Sequence, residues 1–386
     1  MKHYDIIVVG GGPIGSTYAY KMAKLGYDVV IYDKKSKIGQ PLQCAGLVST
    51  HIEETKNLPH EFISNRIKGA YLSSPNNTTI KVTKNSDAAY VLDRINYDDY
   101  LLNRAIESGV EVKLNSKVND VNLKNTTITT SNETASSSII AVASGPNSPT
   151  SAKMNNNQKD EYFTAIQYTV EKTNHELNFL NVGLNESILP GFLWKIPVTE
   201  NTQRVGLFTN GNYKEADKIL TNYLSKDSKI IKKHFGHIPK FNHKKNIVYN
   251  NTILLGDCAS QVKPTTGGGL IVGFNCTEIA KTYSNKVFEK EDNSYLKEYE
   301  KEYYKKYGSE FRAQNNVQNI MTDMTTDDFD YMFQQLKEYH VDQVISEYGD
   351  MDTQIPLLKQ LVKTGLLFKL VPKIGIRRLR NIWKSR

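Results

Sequence analysis

Residues 5–33 read DIIVVGGGPIGSTYAYKMAKLGYDVVIYD, and this stretch decides the fold. Ile6 to Val9 is a short apolar, β-branched run of the kind that forms a buried parallel strand. Gly10-x-Gly12-x-x-Gly15 follows directly, then a helical segment ending near Gly26, then a second strand from Val29 to Tyr32 that closes on Asp33. The three glycines have distinct physical roles. The first turns the chain, the second lets backbone approach a pyrophosphate, and the third lets helix and strand lie close. Ala19 and Ala23 continue the small face begun at Gly15 at a spacing of four. A pyrophosphate would rest on the free N–H groups and positive dipole end of that helix, and Asp33 would accept hydrogen bonds from ribose hydroxyls. A glycine triplet alone says little. Its position between strand and helix, with an acid at the right distance, predicts a dinucleotide site.

The chain around this unit is long enough for two or three lobes, at 386 residues. Its 39% hydrophobic content and mean hydropathy of −0.49 suit a water-exposed protein. No signal peptide is expected, because the first apolar run is consumed by the glycine turn, and no apolar stretch has the length of a membrane span. Cys44, Cys258 and Cys276 have neither metal-ligand spacing nor disulfide density, which points to a reducing interior and the cytoplasm. The net charge of +8 is uneven. After Asp352 there is no acid, while Lys359, Lys363, Lys369, Lys373, Arg377, Arg378, Arg380, Lys384 and Arg386 bring nine positive charges, leaving −1 for the rest. That pattern indicates one basic tail and argues against a nucleic-acid partner.

Taken in order, the loop Gly39 to Leu47 (GQPLQCAGL) passes near the expected cofactor, and Cys44 there is either a small buried residue or part of the site. Residues 68 to 92 read as short strands broken by a turn at Ser74 to Asn77. A helix begins near Arg94 and stops at Gly109; the arginine either binds a cofactor or pairs with Asp98 one turn on. Val118 to Thr130 suggests a small sheet, and Ile139 to Ala143 a buried strand ending in a glycine turn. From 161 to 246 alternating runs predict an antiparallel sheet with one packed and one open face. Within it Phe192, Trp194 and Ile196 share a side, as a plain core strand or as the aromatic wall of a ligand cavity.

A second glycine site then appears in Leu254-Leu255-Gly256-Asp257 and Gly267-Gly268-Gly269-Leu270, where a strand-end carboxylate precedes a glycine-opened helix. Two such sites more than two hundred residues apart favour FAD over a nicotinamide, since FAD is long enough to touch both. Tyr295, Tyr299, Tyr303 and Tyr307 recur one turn apart as a packing stripe. The final segment, from Ile355 to Arg386, reads either as a bundle helix or as a basic amphipathic stretch for an anionic lipid surface.

With these motifs in view, the chain resembles the geranylgeranyl reductase family of flavoproteins, related more distantly to p-hydroxybenzoate hydroxylase. The resemblance runs from residue 1 to about 310 and rests on DIIVVGGGPIGS, GQPLQCAGLVS, LDRINYDDYLLNRAIESGV, FLWKIP and LLGDCASQVKPTTGGGL. It is closest to the archaeal digeranylgeranylglycerophospholipid reductases, which saturate the prenyl chains of membrane ether lipids. It implies an α/β chain (α+β overall): a Rossmann-like FAD-binding domain from 1–70, 91–150 and 247–292, an antiparallel substrate domain from 71–90 and 151–246, and a helical region at 293–386. It implies FAD contacts at Gly10, Gly12, Ile14, Gly15, Asp33, Cys44, Ala45, Leu47, Arg94, Val118, Asp257, Gly269 and Leu270. In the family's P-x-x-Y-x-W-x-F-P wall motif, Trp194 and Pro197 match while Phe192 and Ile196 replace Tyr and Phe. The expected reaction is FAD-dependent saturation of geranylgeranyl chains, with a prenylated phospholipid as substrate, Cys44 as candidate proton donor and the basic tail in peripheral contact with an anionic membrane. No second GxGxxG unit is present for a dedicated NADPH domain, so NAD(P)H, ferredoxin and a deazaflavin all stand as electron donors. The alternatives are a flavin monooxygenase of an aromatic or quinone substrate, and a prenyl reductase acting on menaquinone or another isoprenoid.

Overall fold

In the computed structural model, which describes residues 1–171, 175–224 and 228–370, the strand Lys2–Val9 is central to a mostly parallel sheet. It pairs in parallel with Val29–Tyr32 on one side (Ile6 opposite Val29) and with Thr134–Val142 on the other (Ile7 opposite Ile140). Glu111–Lys113 and Thr252–Leu254 extend the sheet in parallel at its two ends, and Val248–Tyr249 closes one edge antiparallel. Ile6, Ile7, Val8, Ile31, Ile139 and Ile140 have essentially no exposed surface, as strands covered on both faces require. Four of these strands bring their carboxyl ends together, at Val9, Tyr32, Val142 and Leu254. That crevice is where such sheets bind ligands.

Two helices meet over it. Pro13–Ala23 and Leu270–Lys290 are tied by Tyr18 to Ser284 at 2.7 Å and by Lys21 to Glu278 at 2.6 Å. Ile14 wedges their beginnings together: a Cβ added to Gly273 would lie 2.4 Å from its Cδ1, and one added to Gly256 only 3.3 Å from its Cγ1.

A seven-stranded sheet stands beside this unit, in the order Lys229–Pro239, Tyr162–Glu171, Thr202–Thr209, Leu193–Thr199, Phe179–Gly183, Gly69–Ser73, Thr79–Thr83. It is antiparallel except where Phe179–Gly183 runs with Gly69–Ser73. One face buries Ile166, Tyr168, Leu193, Val205 and Leu207 under Ala216 and Leu220 of the helix Tyr213–Tyr223. The other face, which the alternation leaves open, receives the loop around Cys44. A third, three-stranded sheet of Leu47–Ser49, Ala89–Leu92 and Ile63–Ile67 joins the two larger ones, with Ile67, Ala89 and Val91 packed on Leu180 and Ile196.

The long helix Leu296–Met321 buries Tyr299 and Tyr303 against the parallel-sheet core, as the tyrosine stripe predicts. The helices that follow wrap the far edge of the seven-stranded sheet, with Phe333, Leu336, Val341, Leu361 and Leu370 around Ile80. Residues 355–370 therefore pack on the body, whereas Lys373, Arg377, Arg378, Arg380, Lys384 and Arg386 lie outside the described residues. Among the described residues no helix is long and apolar enough to cross a membrane.

Candidate active site

The first glycine turn has the geometry that a bound pyrophosphate needs. Gly10 adopts φ +108°, and a Cβ there would come within 2.4 Å of the Ala143 carbonyl. A Cβ at Gly15 would sit 2.0 Å from the Gly10 carbonyl, so only glycine lets the helix begin here. A Cβ added at Gly12, by contrast, would meet nothing within 4 Å. Gly12 caps the helix without a side-chain bond, and Pro13, which has no N–H, takes the first helical position. Asp33 is buried and accepts from the Gly11 N–H at 2.6 Å and the Lys35 N–H at 2.8 Å. Two amides fix its carboxylate while leaving lone pairs for hydroxyls. The segment leading to Val118 is anchored to the same place, since Asp33 N–H donates to the Lys113 carbonyl and Ser116 N–H to that of Asp33; Val118 itself packs on the main core.

The second turn has matching features. Gly256, at φ +69°, donates its N–H to Gln261 Oε1 at 2.7 Å, and Gly269 caps the helix that starts at Leu270 without a side-chain bond. Asp257 is half-buried, and its carboxylate has no hydrogen-bond partner among the described residues. Burial pushes its carboxyl up and the Arg94 guanidinium pulls it back down. A buried carboxylate left unpaired is costly; one facing a polyhydroxyl chain is not. An open turn at Gly12 and an unspent carboxylate at Asp257, joined through Ile14, fit an extended dinucleotide.

Between these turns and the seven-stranded sheet lies Cys44. The Gly46 N–H donates to its Sγ at 3.3 Å, and its carbonyl receives a long 3.5 Å contact from Gln167 Nε2. Gln167 Oε1 in turn accepts from Trp194 Nε1 at 3.2 Å. The indole lies flat on Gly206, where a Cβ would meet its ring at 2.4 Å. Arg204 completes the junction: its Nη1 donates to the Ala45 carbonyl at 2.6 Å and to the Leu92 carbonyl at 3.1 Å. Gly46, at φ +74°, makes room for it, since a Cβ would sit 2.3 Å from that nitrogen. Arg204 is 7% exposed and has no ion-pair partner among the described residues. Burial pushes its guanidinium down and the neighbouring Cys44 sulfur pulls it up. Neither Gln167 nor Arg204 stands out in the sequence. The signal was available, because Val205 and Leu207 face the helix-covered side and so put Arg204, Gly206 and Phe208 on the side of Trp194.

Arg94 is engaged with Asp98 one turn on. Its Nε and Nη2 grip Asp98 at 2.8 and 2.9 Å, and although burial opposes its charge, Asp98 and Cys44 hold the guanidinium firmly protonated. Leu47 opens the three-stranded sheet opposite Val91 and packs near Ala45. Phe192 lies edge-on to Phe208 at 5.0 Å and to Trp194 at 5.9 Å, and Phe163 continues the row 5.3 Å from Phe208. Ile196, at 2% exposure, is enclosed by Ile67, Ala89, Val91 and Leu180 and lines the core between sheets.

Comparison with known proteins follows the same lines. Residues 8–53 match a family described as an NAD(P)-binding Rossmann-like domain, and residues 49–313 match one described as tryptophan halogenase. A digeranylgeranylglycerophospholipid reductase from Methanococcoides burtonii is 31% identical over 77% of this chain and 79% of its own. The chain belongs to the digeranylgeranylglycerophospholipid reductase family. A second member, from Methanocaldococcus jannaschii, is 30% identical over 77% of this chain and 81% of its own. The fold of the reductase family extends to the crystal structure of a geranylgeranyl bacteriochlorophyll reductase-like protein from Thermoplasma acidophilum, with a TM-score of 0.85, 22% identity and 99% of both chains covered. The tryptophan halogenase match lies within this reductase-family chain and spans its seven-stranded sheet.

Proposed function

We propose that the protein is an FAD-dependent reductase that saturates C=C bonds in the geranylgeranyl chains of archaeal ether phospholipids. The observation that carries this reading is the pair of partly exposed rings Phe192 and Trp194, backed by the buried rings of Phe208 and Phe163, on the sheet face that meets the Cys44 loop. Gly10, Gly12, Ile14, Gly15 and Asp33 would hold the ADP half of FAD, and Asp257, Gly269 and Leu270 the ribityl half. Cys44, Ala45, Leu47, Arg94 and Val118 would border the rest. Reduced FAD, when bound, supplies hydride to one alkene carbon, and a proton must reach the other. An isolated alkene has no carbonyl to stabilise charge, so what this chain contributes is to align a greasy chain and exclude water. The aromatic row serves alignment; the Trp194–Gln167–Cys44 contacts fix the loop on which it ends. The Cys44 thiol is the candidate proton donor.

On the same reading the protein works at the inner face of the cell membrane. Residues 371–386 would contribute six positive charges to an anionic surface, and removing them should weaken liposome binding in a salt-dependent way. Electrons would come from NAD(P)H, ferredoxin or a deazaflavin. The decisive experiment is to record a flavin spectrum on the purified protein and give the dithionite-reduced enzyme an unsaturated archaeol phospholipid. A gain of two hydrogens per double bond supports the proposal; a yellow protein that leaves the lipid untouched refutes it. The halogenase match favours one second reading, oxygen-dependent attack on an aromatic ring. Oxygen- and halide-dependent product formation would establish it.

A further inference from the structure

Arg204 is a buried cation that the fold does not balance. It stands opposite Ile196 and Thr169 on the Trp194 face of the seven-stranded sheet, and only 7% of it is exposed. Its Nη1 donates to the Ala45 and Leu92 carbonyls, while Nε and Nη2 make no hydrogen bond among the described residues. The charges around it are spent or like-signed. Arg94 repels it and is itself closed on Asp98. Asp93, the nearby carboxylate that favours its charge, already accepts from the Asn96 N–H at 3.3 Å and from Asn96 Nδ2 at 2.6 Å. Lys232 flanks Thr169 from the other side. His234, against Thr169 Oγ1 at 3.0 Å, is held below its ordinary value by burial first and then by Lys232, and so stays neutral.

Anchoring a loop does not require this charge. Two carbonyls ask for N–H groups, which a neutral amide supplies without the penalty of burying an unpaired guanidinium. The charge itself needs a partner that the polypeptide lacks. Ala45, which Arg204 touches, and Arg94, two residues on from Leu92, are among those that border FAD on the reading given above. A flavin ring changes charge as it works: two electrons and one proton convert the neutral oxidised ring into a monoanion. A fixed charge beside the ring is one of the levers by which a protein tunes a flavin. We propose that Arg204 is the counter-charge for the reduced flavin, in place before the electrons arrive, and that it makes the bound cofactor easier to reduce by whichever donor serves it. Because two carbonyls preset the guanidinium, it stabilises the anion without reorganising. The inference rests on the FAD reading of the site and not on the identity of the alkene.

The test is the two-electron equilibrium of the FAD-loaded protein, followed by its absorbance during reduction against a reference dye. Arg204→Gln and Arg204→Met should each disfavour reduction by at least about tenfold, which is about 30 mV for a two-electron couple, whereas Arg204→Lys, which keeps the charge without the planar fork, should stay within about threefold of the parent. Arg204→Gln retains an amide for the Ala45 carbonyl, so it should still bind oxidised FAD and place the loss on the reduced form. A smaller shift in the neutral variants would overturn the proposal. So would a lysine variant that falls as far as they do, because loop geometry and not charge would then be the cause. A neutral variant that keeps the parent equilibrium but no longer binds geranylgeranyl phosphate would assign the guanidinium to a substrate anion and overturn it as well. Turnover is read separately: a protein whose flavin responds to Arg204 in this way yet reduces no lipid loses the alkene reading and keeps the counter-charge, while a protein that binds no FAD loses both.

Discussion

The glycine-rich loop that opens the helix Leu270–Lys290 is held shut by a buried ion pair, and breaking it tests how the cofactor cradle is kept. Lys263 Nζ sits 2.5 Å from Asp352 Oδ1 and 2.9 Å from the Met351 carbonyl, with the two side chains only 7% and 17% exposed. Ser49 donates to the second carboxylate oxygen, and Gln314 Nε2 donates to the Asp352 carbonyl at 3.1 Å. The segment from Asp350 to Gln354 is thereby strapped across the loop 263–269. Asp352→Asn leaves the ammonium buried without a counter-charge, and removing one partner of such a pair costs about 3–5 kcal/mol. At about 2.1 cal/mol/K of unfolding entropy per residue, a 386-residue chain loses about 4–6 °C of melting temperature for that penalty. The Lys263→Met/Asp352→Leu double variant removes both charges and should recover most of the loss, since a well-packed apolar pair is about as stable as the ionic one. The assay is thermal melting followed in parallel by circular dichroism and by release of flavin fluorescence. In the single variant flavin should escape before the fold melts. A single variant melting within about 1 °C of the parent, or a double variant worse than the single, would refute this reasoning.

Four further predictions follow from the site. Gly12→Val fills open space, so the apo protein should melt within about 2 °C of the parent while FAD affinity collapses; Gly15→Ala meets the Gly10 carbonyl and should lose both. Cys44→Ser should keep the flavin spectrum and lose alkene reduction, and full turnover would remove Cys44 from the proton path. Arg204→Met gives up two charge-assisted hydrogen bonds of about 1.5–3 kcal/mol each, offset by relief of an uncompensated buried charge; faster hydrogen exchange at residues 44–47, without global unfolding, is the expected signature. His51 is held above its usual value of 6.5, first by Glu54 and then by Asp350. A raised folded pKa stabilises below the unfolded value and fades as pH climbs through the folded one, so exchange at residues 350–354 should quicken above pH 6.5, and His51→Gln should flatten that response.

How much of this could be read in the sequence depends on the distance over which each cause acts. The glycine turn, its strand and its helix are local, and Gly10, Gly12 and Gly15 each have the contact, or the emptiness, that their spacing implies. The antiparallel runs and the tyrosine stripe were equally legible, because periodicity records which side of an element is covered. What periodicity does not record is the partner. Gln167 meets Cys44 across 123 positions and Arg204 meets Ala45 across 159, so the junction of sheet and loop had no local signal. Arg94 was ambiguous because Asp98, one helical turn away, is an adequate partner without any ligand. Trp194 and Ile196 alternate onto one side, yet their surroundings differ: the indole rests on Gly206, while Ile196 is closed over by the three-stranded sheet.

The wedge at Ile14 also sets a schedule for biosynthesis. It touches Gly256 and Gly273, which leave the ribosome some 240 residues after it. At about 5–20 residues per second, the first half of the cradle waits roughly 12–48 s for the second. Early in that interval the strand at Ile6 to Val9 has Val29 to Tyr32 beside it but lacks its other neighbour, Ile139 to Val142, and that strand in turn waits for Thr252 to Leu254. A nascent chain cannot acquire its cofactor early, and its apolar strands must be shielded until nearly three quarters of the polypeptide has been synthesised.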